Sequence, residues 1–232
     1  MSGIDEYRRL NTRKASILHV GGLRPTGDPF ASNFGLRPLG LPDEVWPENG
    51  KPLLFVCQMN LTAAPAVPPL LQDIKLITFF AKTGASALKK NNGDGWCLRA
   101  YKSLDHLSPI TPPEKVRAVK RGFECRWEAC DDYPNLDDSE RIVPEGFDEE
   151  EAGKEGAGVD NVARTKIGGY ASSIQSEPWW DYRKHAADPV YCFQINSEEK
   201  VGLVWGDGGT LYLARGTAAG HEDEWFLDVQ MF

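Results

Sequence analysis

No apolar run in this chain of 232 residues approaches the roughly 18 residues that a membrane-spanning helix needs. The amino terminus, Met1-Ser-Gly-Ile-Asp-Glu-Tyr-Arg-Arg-Leu10, is charged and has no apolar stretch of the kind a secretory signal carries. A cytoplasmic location is therefore expected. Cysteine is sparse and odd in number, at positions 57, 97, 125, 130 and 192, without secreted-type spacing. These thiols are expected to be reduced, and those in apolar strand patterns to sit as small buried hydrophobes. The four histidines, His19, His106, His185 and His221, are scattered, so no Cys–His nucleophile stands out. Cys125 and Cys130 lack the second cluster that a zinc site requires, and five residues apart on a strand their side chains face opposite ways. Gly206-Asp-Gly-Gly209 has neither the lysine nor the helix of a phosphate loop. The acidic run contains no calcium loop of alternating aspartates with a trailing glutamate. No cofactor, metal or catalytic residue is assigned on these grounds, and the reading leans away from an enzyme.

Large side chains are plentiful. Seven Trp and ten Phe supply the apolar area for a real core. The expected fold class is α+β: strand-rich, mostly antiparallel sheets with short helices, in one compact domain. Ile4, Tyr7 and Leu10 sit at helical spacing over residues 3–13. Strands are expected at 16–20, 52–60, 74–81, 96–101 and 123–129, separated by Pro- and Gly-rich connections. Residues 123–129 alternate cleanly, with Phe123, Cys125, Trp127 and Ala129 on one face and Glu124, Arg126 and Glu128 on a wet one. The last third reads as a meander with strands at 190–196, 201–205 and 210–214, Asp207-Gly208 making the second hairpin turn. A further alternating run, Trp225 to Met231, reaches the carboxy terminus. Trp46 is expected to anchor the Pro-rich loop into the core.

One pattern occurs twice. Phe55-Val-Cys-Gln-Met-Asn60 aligns with Tyr191-Cys-Phe-Gln-Ile-Asn196. A Gly-Gly pair precedes each copy, Gly21-Gly22 and Gly168-Gly169, and a Thr-containing strand follows each, Ile77-Thr-Phe-Phe80 and Gly209-Thr-Leu-Tyr212. The intervals differ, 36 against 25 residues from the second glycine to the glutamine. The order suggests an internal duplication with halves at about 16–130 and 161–232. Within each copy the Gln and Asn share one strand face. If buried they must be hydrogen-bonded, either to loop backbone or to a ligand.

Charge is unevenly distributed. Residues 131–160 hold twelve carboxylates against Arg141 and Lys154, a net of −10 in a chain whose total is −8. The segment is expected to be a surface insertion, its order left open. The preceding stretch leans basic, with Lys89, Lys90, Lys115, Arg117, Lys120, Arg121 and Arg126. The adjoining acidic run opposes a nucleic-acid role for it.

Taken in order, Gly21-Gly-Leu, Trp46-Pro47, Pro52 to Leu61, Ile77 to Phe80, Lys166-Ile-Gly-Gly-Tyr170 with Gln175, Phe193 to Asn196 and Trp205-Gly-Asp-Gly208 resemble the YwqG-like family. It is a mainly bacterial family whose domain has no assigned function. The resemblance runs from about residue 20 to the carboxy terminus and implies a compact α+β fold. Its relatives often look like accessory or immunity-type proteins beside secreted toxins. Two functions are thus expected as alternatives. One is a non-enzymatic protein-binding module, an immunity-type protein of a toxin–antitoxin kind. In it Asp137, Asp138, Glu140, Asp148, Glu149, Glu150 and Glu151 face a toxin's basic cleft. The other is a small-ligand-binding protein or unrecognised enzyme, with Gln58, Asn60, Gln194, Asn196 and Asp207 lining a cleft between the halves. A housekeeping accessory protein without a single partner is a third. Neither nucleic acid nor membrane is an expected partner.

Overall fold

A computed structural model describes residues 2–82, 84–88, 91–113, 116, 119–154 and 156–232. Helix α1 (Gly3–Asn11) starts at a capping box, where Ser2 and Asp5 satisfy each other's backbone N–H groups. It buries Ile4, Tyr7 and Asn11 rather than Leu10. Among the described residues twelve strands follow: β1 (Arg13–Val20), β2 (Asn33–Phe34), β3 (Leu39–Gly40), β4 (Leu54–Asn60), β5 (Leu76–Ala81), β6 (Trp96–Tyr101), β7 (Ser108–Pro109), β8 (Phe123–Asp132), β9 (Lys166–Gly168), β10 (Pro189–Asn196), β11 (Thr210–Gly216) and β12 (Trp225–Gln230). Two short helices, α2 (Glu149–Ala152) and α3 (Trp179–Tyr182), lie on either side of β9 in the chain. The protein is strand-rich, and its large sheet is antiparallel.

Ten strands form that sheet, in the order β12-β11-β10-β9-β1-β8-β2-β4-β5-β6, while β3 and β7 pair separately. The order reads alike outward from the central β1–β8 pair. On each side come a short strand, a Gln-x-Asn strand and two more. The short strand beside β1 comes from late in the chain, and the one beside β8 from early in it, so each flank crosses to the other's central strand. The sheet curls until its ends meet. Asn91 bridges to Phe226, Lys102 reaches Asp223 at 3.2 Å, and Arg215 on β11 forks onto both oxygens of Asp73 at 2.7 and 3.0 Å. One core fills the inside, drawing Met59, Phe79 and Trp96 from one flank and Phe193, Leu213 and Trp225 from the other.

The ladders correct the sequence alignment in three places. Gln58 pairs with Thr78, but Gln194 pairs with Tyr212. Thr78 therefore matches Tyr212, and Thr210, opposite Asn196, matches Leu76. The glycine that matches Gly168 (φ +71°) is Gly35 (φ +64°), not one of Gly21-Gly22, which follow β1. Residues 201–205 form no ladder strand: β10 pairs directly with β11. Val201, Leu203 and Trp205 alternate because they plug the core from a 13-residue connection, of which only Glu198–Leu203 forms a bridge. The face of β8 expected to be wet is also partly covered. Glu124 is buried, and its carboxylate accepts from the Thr26 and Gly27 backbone N–H groups at 2.7 Å each. Trp46 does anchor its loop, donating Nε1–H to the Leu53 carbonyl and meeting the Phe80 ring edge-on.

Both glutamines turn away from the core, under loops on the outer face, and both are fully buried. Gln58 donates through Nε2 to the carbonyls of Pro29 and Ala31, and its Oε1 accepts from Leu39 N–H. Gln194 does the same with the Arg164 carbonyl and Ser172 N–H. Each amide thus fixes the segment that leads into a short strand. Replacing Gln58 or Gln194 by Leu is expected to leave these groups unpaired and cost about 2–4 kcal/mol each, read by urea unfolding. Equal stability of either variant and wild type would refute the role.

Asp132 and Lys166 form an ion pair at 2.6 Å with both side chains wholly buried. Asp132 also accepts from Val162 and Tyr170 N–H groups, which gives the carboxylate the extra donors a buried charge requires. Desolvation holds the Lys166 ammonium below its usual range. Lys166→Met should strand the carboxylate and cost about 3–5 kcal/mol, measured by the same unfolding assay.

Candidate functional site

The acidic segment is a built part of the molecule. Tyr133, Ala152 and Val159 pack on Ile4 and Tyr7 of α1 in a core of their own, and Tyr7 stacks on Phe147 with centroids 4.2 Å apart. The Asn11 amide bonds both the N–H and the carbonyl of Ile142 at 2.8 Å. Arg8 donates to the Ala157 carbonyl. Asp148 caps α2 by accepting from Glu150 and Glu151 N–H groups. The apolar residues scattered through the acidic run, invisible as a pattern in sequence, are what hold it down.

This scaffold holds the carboxylates at fixed points. Asp137, Glu140, Asp148, Glu149, Glu150 and Glu151 are exposed and Asp138 is half-buried. Glu140 pairs with Arg13 at 3.1 Å and Glu149 with Arg141 at 2.5 Å. Among the described residues, Asp137, Glu150 and Glu151 pair with no cation. Two apolar side chains stand exposed in their midst, Ile142 and Val143, each about half open to solvent at 53% and 52%.

Two acids that the sequence did not single out belong to the same face. Glu177 accepts from Ser139 N–H at 2.8 Å. Asp181, on α3, lines a small cavity of about 190 Å³ with Arg13, Asp138, Glu140, Tyr170 and Glu177. The 38-residue separation of Glu177 from Ser139 gives no local signal. Desolvation of the covered part of Asp181, followed by repulsion from Glu140, Glu177, Asp138 and Asp228, pushes its carboxyl up to about 7. Desolvation also raises Asp138. Among the described residues, no group of three or more His, Cys, Asp or Glu side chains is placed to hold a metal ion.

The five residues of the alternative reading do not come together. Gln58 and Asn60 lie on β4, Gln194 and Asn196 on β10, with four strands between. Five inter-strand steps span about 24 Å along the sheet. Asn60 accepts from Thr62 N–H and donates to the Phe30 carbonyl, while the Asn196 side chain accepts from Gln194. Asp207 is exposed in the turn before β11. Of the basic residues, Lys120, Arg121 and Arg126 are exposed; Lys89, Lys90, Lys115 and Arg117 lie outside the described residues. Burial pushes the thiols of Cys125 and Cys192 up to about 12, and that of Cys57 far up as well. Thiolate chemistry at these positions is thereby suppressed. Among the described residues, no helix is long and apolar enough to cross a membrane.

A carboxyl raised in the folded state stabilises the fold when protonated. Its contribution is present below the unfolded value near 4 and is lost as pH rises toward 7. Asp181→Asn should therefore match wild type at pH 4 and exceed it at pH 8. Because Asp181 is exposed, solvent screening limits the gain to about 1 kcal/mol or less, a Tm rise of about 2–4 °C. A gain as large at pH 4 as at pH 8 would refute the electrostatic cause.

No curated protein matches the chain. A domain of unknown function, DUF1963, matches it over residues 32–214, a span from β2 into β11 that takes in both Gln-x-Asn strands and the buried Lys166. The chain belongs to the family of that domain, DUF1963.

Proposed function

We propose that this protein is a non-enzymatic binding module whose acidic face docks a basic surface on a partner protein. The observation that carries the reading is the rigid mounting of the carboxylates. Asp137, Glu140, Asp148, Glu149, Glu150 and Glu151 are exposed on a segment packed to α1, with Asp138, Glu177 and Asp181 adjoining. Preorganised charge steers encounter and lowers the ordering cost of docking. Ile142 and Val143 supply apolar contact within that field. The fitting partner is a toxin that acts on nucleic acid through a basic cleft, which makes the chain an immunity-type protein of the bacterial cytoplasm. The narrower resemblance to YwqG-like proteins supports this reading by association only.

The matched strand order on the two flanks and the two matching glutamine clamps support a further proposal, that the sheet arose by internal duplication. In that account the acidic segment is an addition between β8 and β9, and individual to this chain.

The test uses as partner a bacterial nuclease toxin whose nucleic-acid cleft is basic. Calorimetric titration compares wild type with the triple variant Asp137→Lys, Glu150→Lys, Glu151→Lys, whose altered side chains hold no ion pair or cap. Binding is expected to weaken about tenfold or more at low salt, and the gap to narrow as salt screens the charges. Unchanged affinity with unchanged salt dependence would overturn the acidic face as the interface.

A further inference from the structure

The two flanks of the sheet differ at one matched place. Leu18 N–H donates to the Thr165 carbonyl at 2.9 Å, and Cys125 N–H donates to the Ser32 carbonyl at 2.8 Å. Leu18 on β1 thus matches Cys125 on β8, and two residues further on Val20 matches Trp127. Each lies where the adjacent short strand has not yet begun, so a gap opens between a central strand and the end of a Gln-x-Asn strand. On one flank the Trp127 indole closes the gap and donates Nε1–H to the Asn60 carbonyl at 3.0 Å. On the other flank Val20 is too small to do so. A cavity of about 400 Å³ remains there, lined by Leu18, His19, Val20, Arg164, Asn196 and Lys200 among others.

The missing indole defines what fits. Asn60 N–H donates to Ser32 Oγ at 2.9 Å, and Asn196 N–H to Thr165 Oγ1 at 3.1 Å. In an extended strand the N–H and C=O of one residue point to the same edge. The Asn196 carbonyl is therefore directed into the gap as the Asn60 carbonyl is, toward the place where a ring N–H would lie. Two cations stand at the rim, Lys200 and Arg164, beside the carboxylate of Glu198. Lys200 donates Nζ–H to the Val20 carbonyl at 3.2 Å, and among the described residues Arg164 makes no ion pair. Glu128 is engaged by Arg126 at 2.8 Å and faces His19 at 3.2 Å. Desolvation, then Arg126, lowers the His19 imidazole below its ordinary range, so near neutral pH it adds little charge. Glu198 is held at the rim by accepting from Lys200 N–H.

We infer that this gap is a binding pocket for a planar heteroaromatic ring that carries an N–H donor and a carboxylate. The ring takes the place of the indole on the other flank, its N–H meets the Asn196 carbonyl, and its carboxylate lies by Arg164. The volume is within the range of small-molecule sites. The site is separate from the acidic face, and neither reading depends on the other.

The probe is indole-3-acetate, titrated into the full chain by calorimetry and followed by ligand-observed NMR. Saturable one-to-one binding is expected in wild type. Benzofuran-3-acetate, which has the same shape without the N–H, should bind at least about tenfold weaker, the loss of one well-placed hydrogen bond. Val20→Trp should fill the gap and abolish binding. Arg164→Gln, at an exposed position, should weaken indole-3-acetate at least about fivefold and leave neutral indole unchanged. No saturable binding in wild type, or equal binding of indole-3-acetate by wild type and Arg164→Gln, would overturn the proposal even if Val20→Trp failed to fold.

Discussion

Two buried side-chain amides hold the loops of this protein to its sheet. A sheet face covered by loops rather than helices presents irregular backbone whose N–H and C=O groups lose water without gaining a ladder. Gln58 and Gln194 supply the missing partners, each with a donor pair and an acceptor aimed at its own loop. An amide suits the task because it gives and accepts hydrogen bonds without charge, and so avoids the desolvation cost of a buried ion. With the loops pinned, β2 and β9 are delivered to the central strands β8 and β1, and the long sheet is continuous.

The wholly buried charges of Lys166 and Asp132 are surrounded by partners. Lys166 meets Asp132, whose second oxygen is taken by backbone. The pair sits where the end of β8, the start of β9 and the loop after β9 converge, and it fixes where the acidic segment leaves the sheet. Arg215 plays the corresponding part at the far edge, where its fork onto Asp73 joins the two flanks. Neither pair could be foreseen, since 34 and 142 residues separate the partners.

Strand positions were largely legible because period-two patterns and turn residues are local. β4, β5, β6, β10, β11 and β12 fall within a few residues of their expected bounds. The failures share one physical cause, that alternation records burial and not pairing. Residues 201–205 alternate because Val201, Leu203 and Trp205 insert into the core from an irregular connection, and Glu124 breaks the wet face of β8 because a loop folds over it. The repeated Gln-x-Asn tripeptide falls on matching strands, β4 and β10, while sequence likeness alone misplaces its flanking glycines and threonines. The ladders match Thr78 to Tyr212 and Gly35 to Gly168, because position in a sheet is set by hydrogen bonds and not by residue identity.

The sequence by itself determined the chain's class, its antiparallel strand content, the shared strand face of the Gln and Asn in each copy and the concentration of negative charge between residues 131 and 160. Composition and short-range periodicity suffice for these. Only the tertiary structure decided that the described part of the acidic segment packs on α1, because Tyr7, Phe147 and Val159 meet only when α1 returns against it. It also decided that Glu177 and Asp181 join the acidic face, and that the amides stand in two places rather than one. The difference between Val20 and Trp127 acquires meaning only when the two flanks are superposed strand by strand, since a cavity is a property of what surrounds a residue and is written in no single segment of the chain.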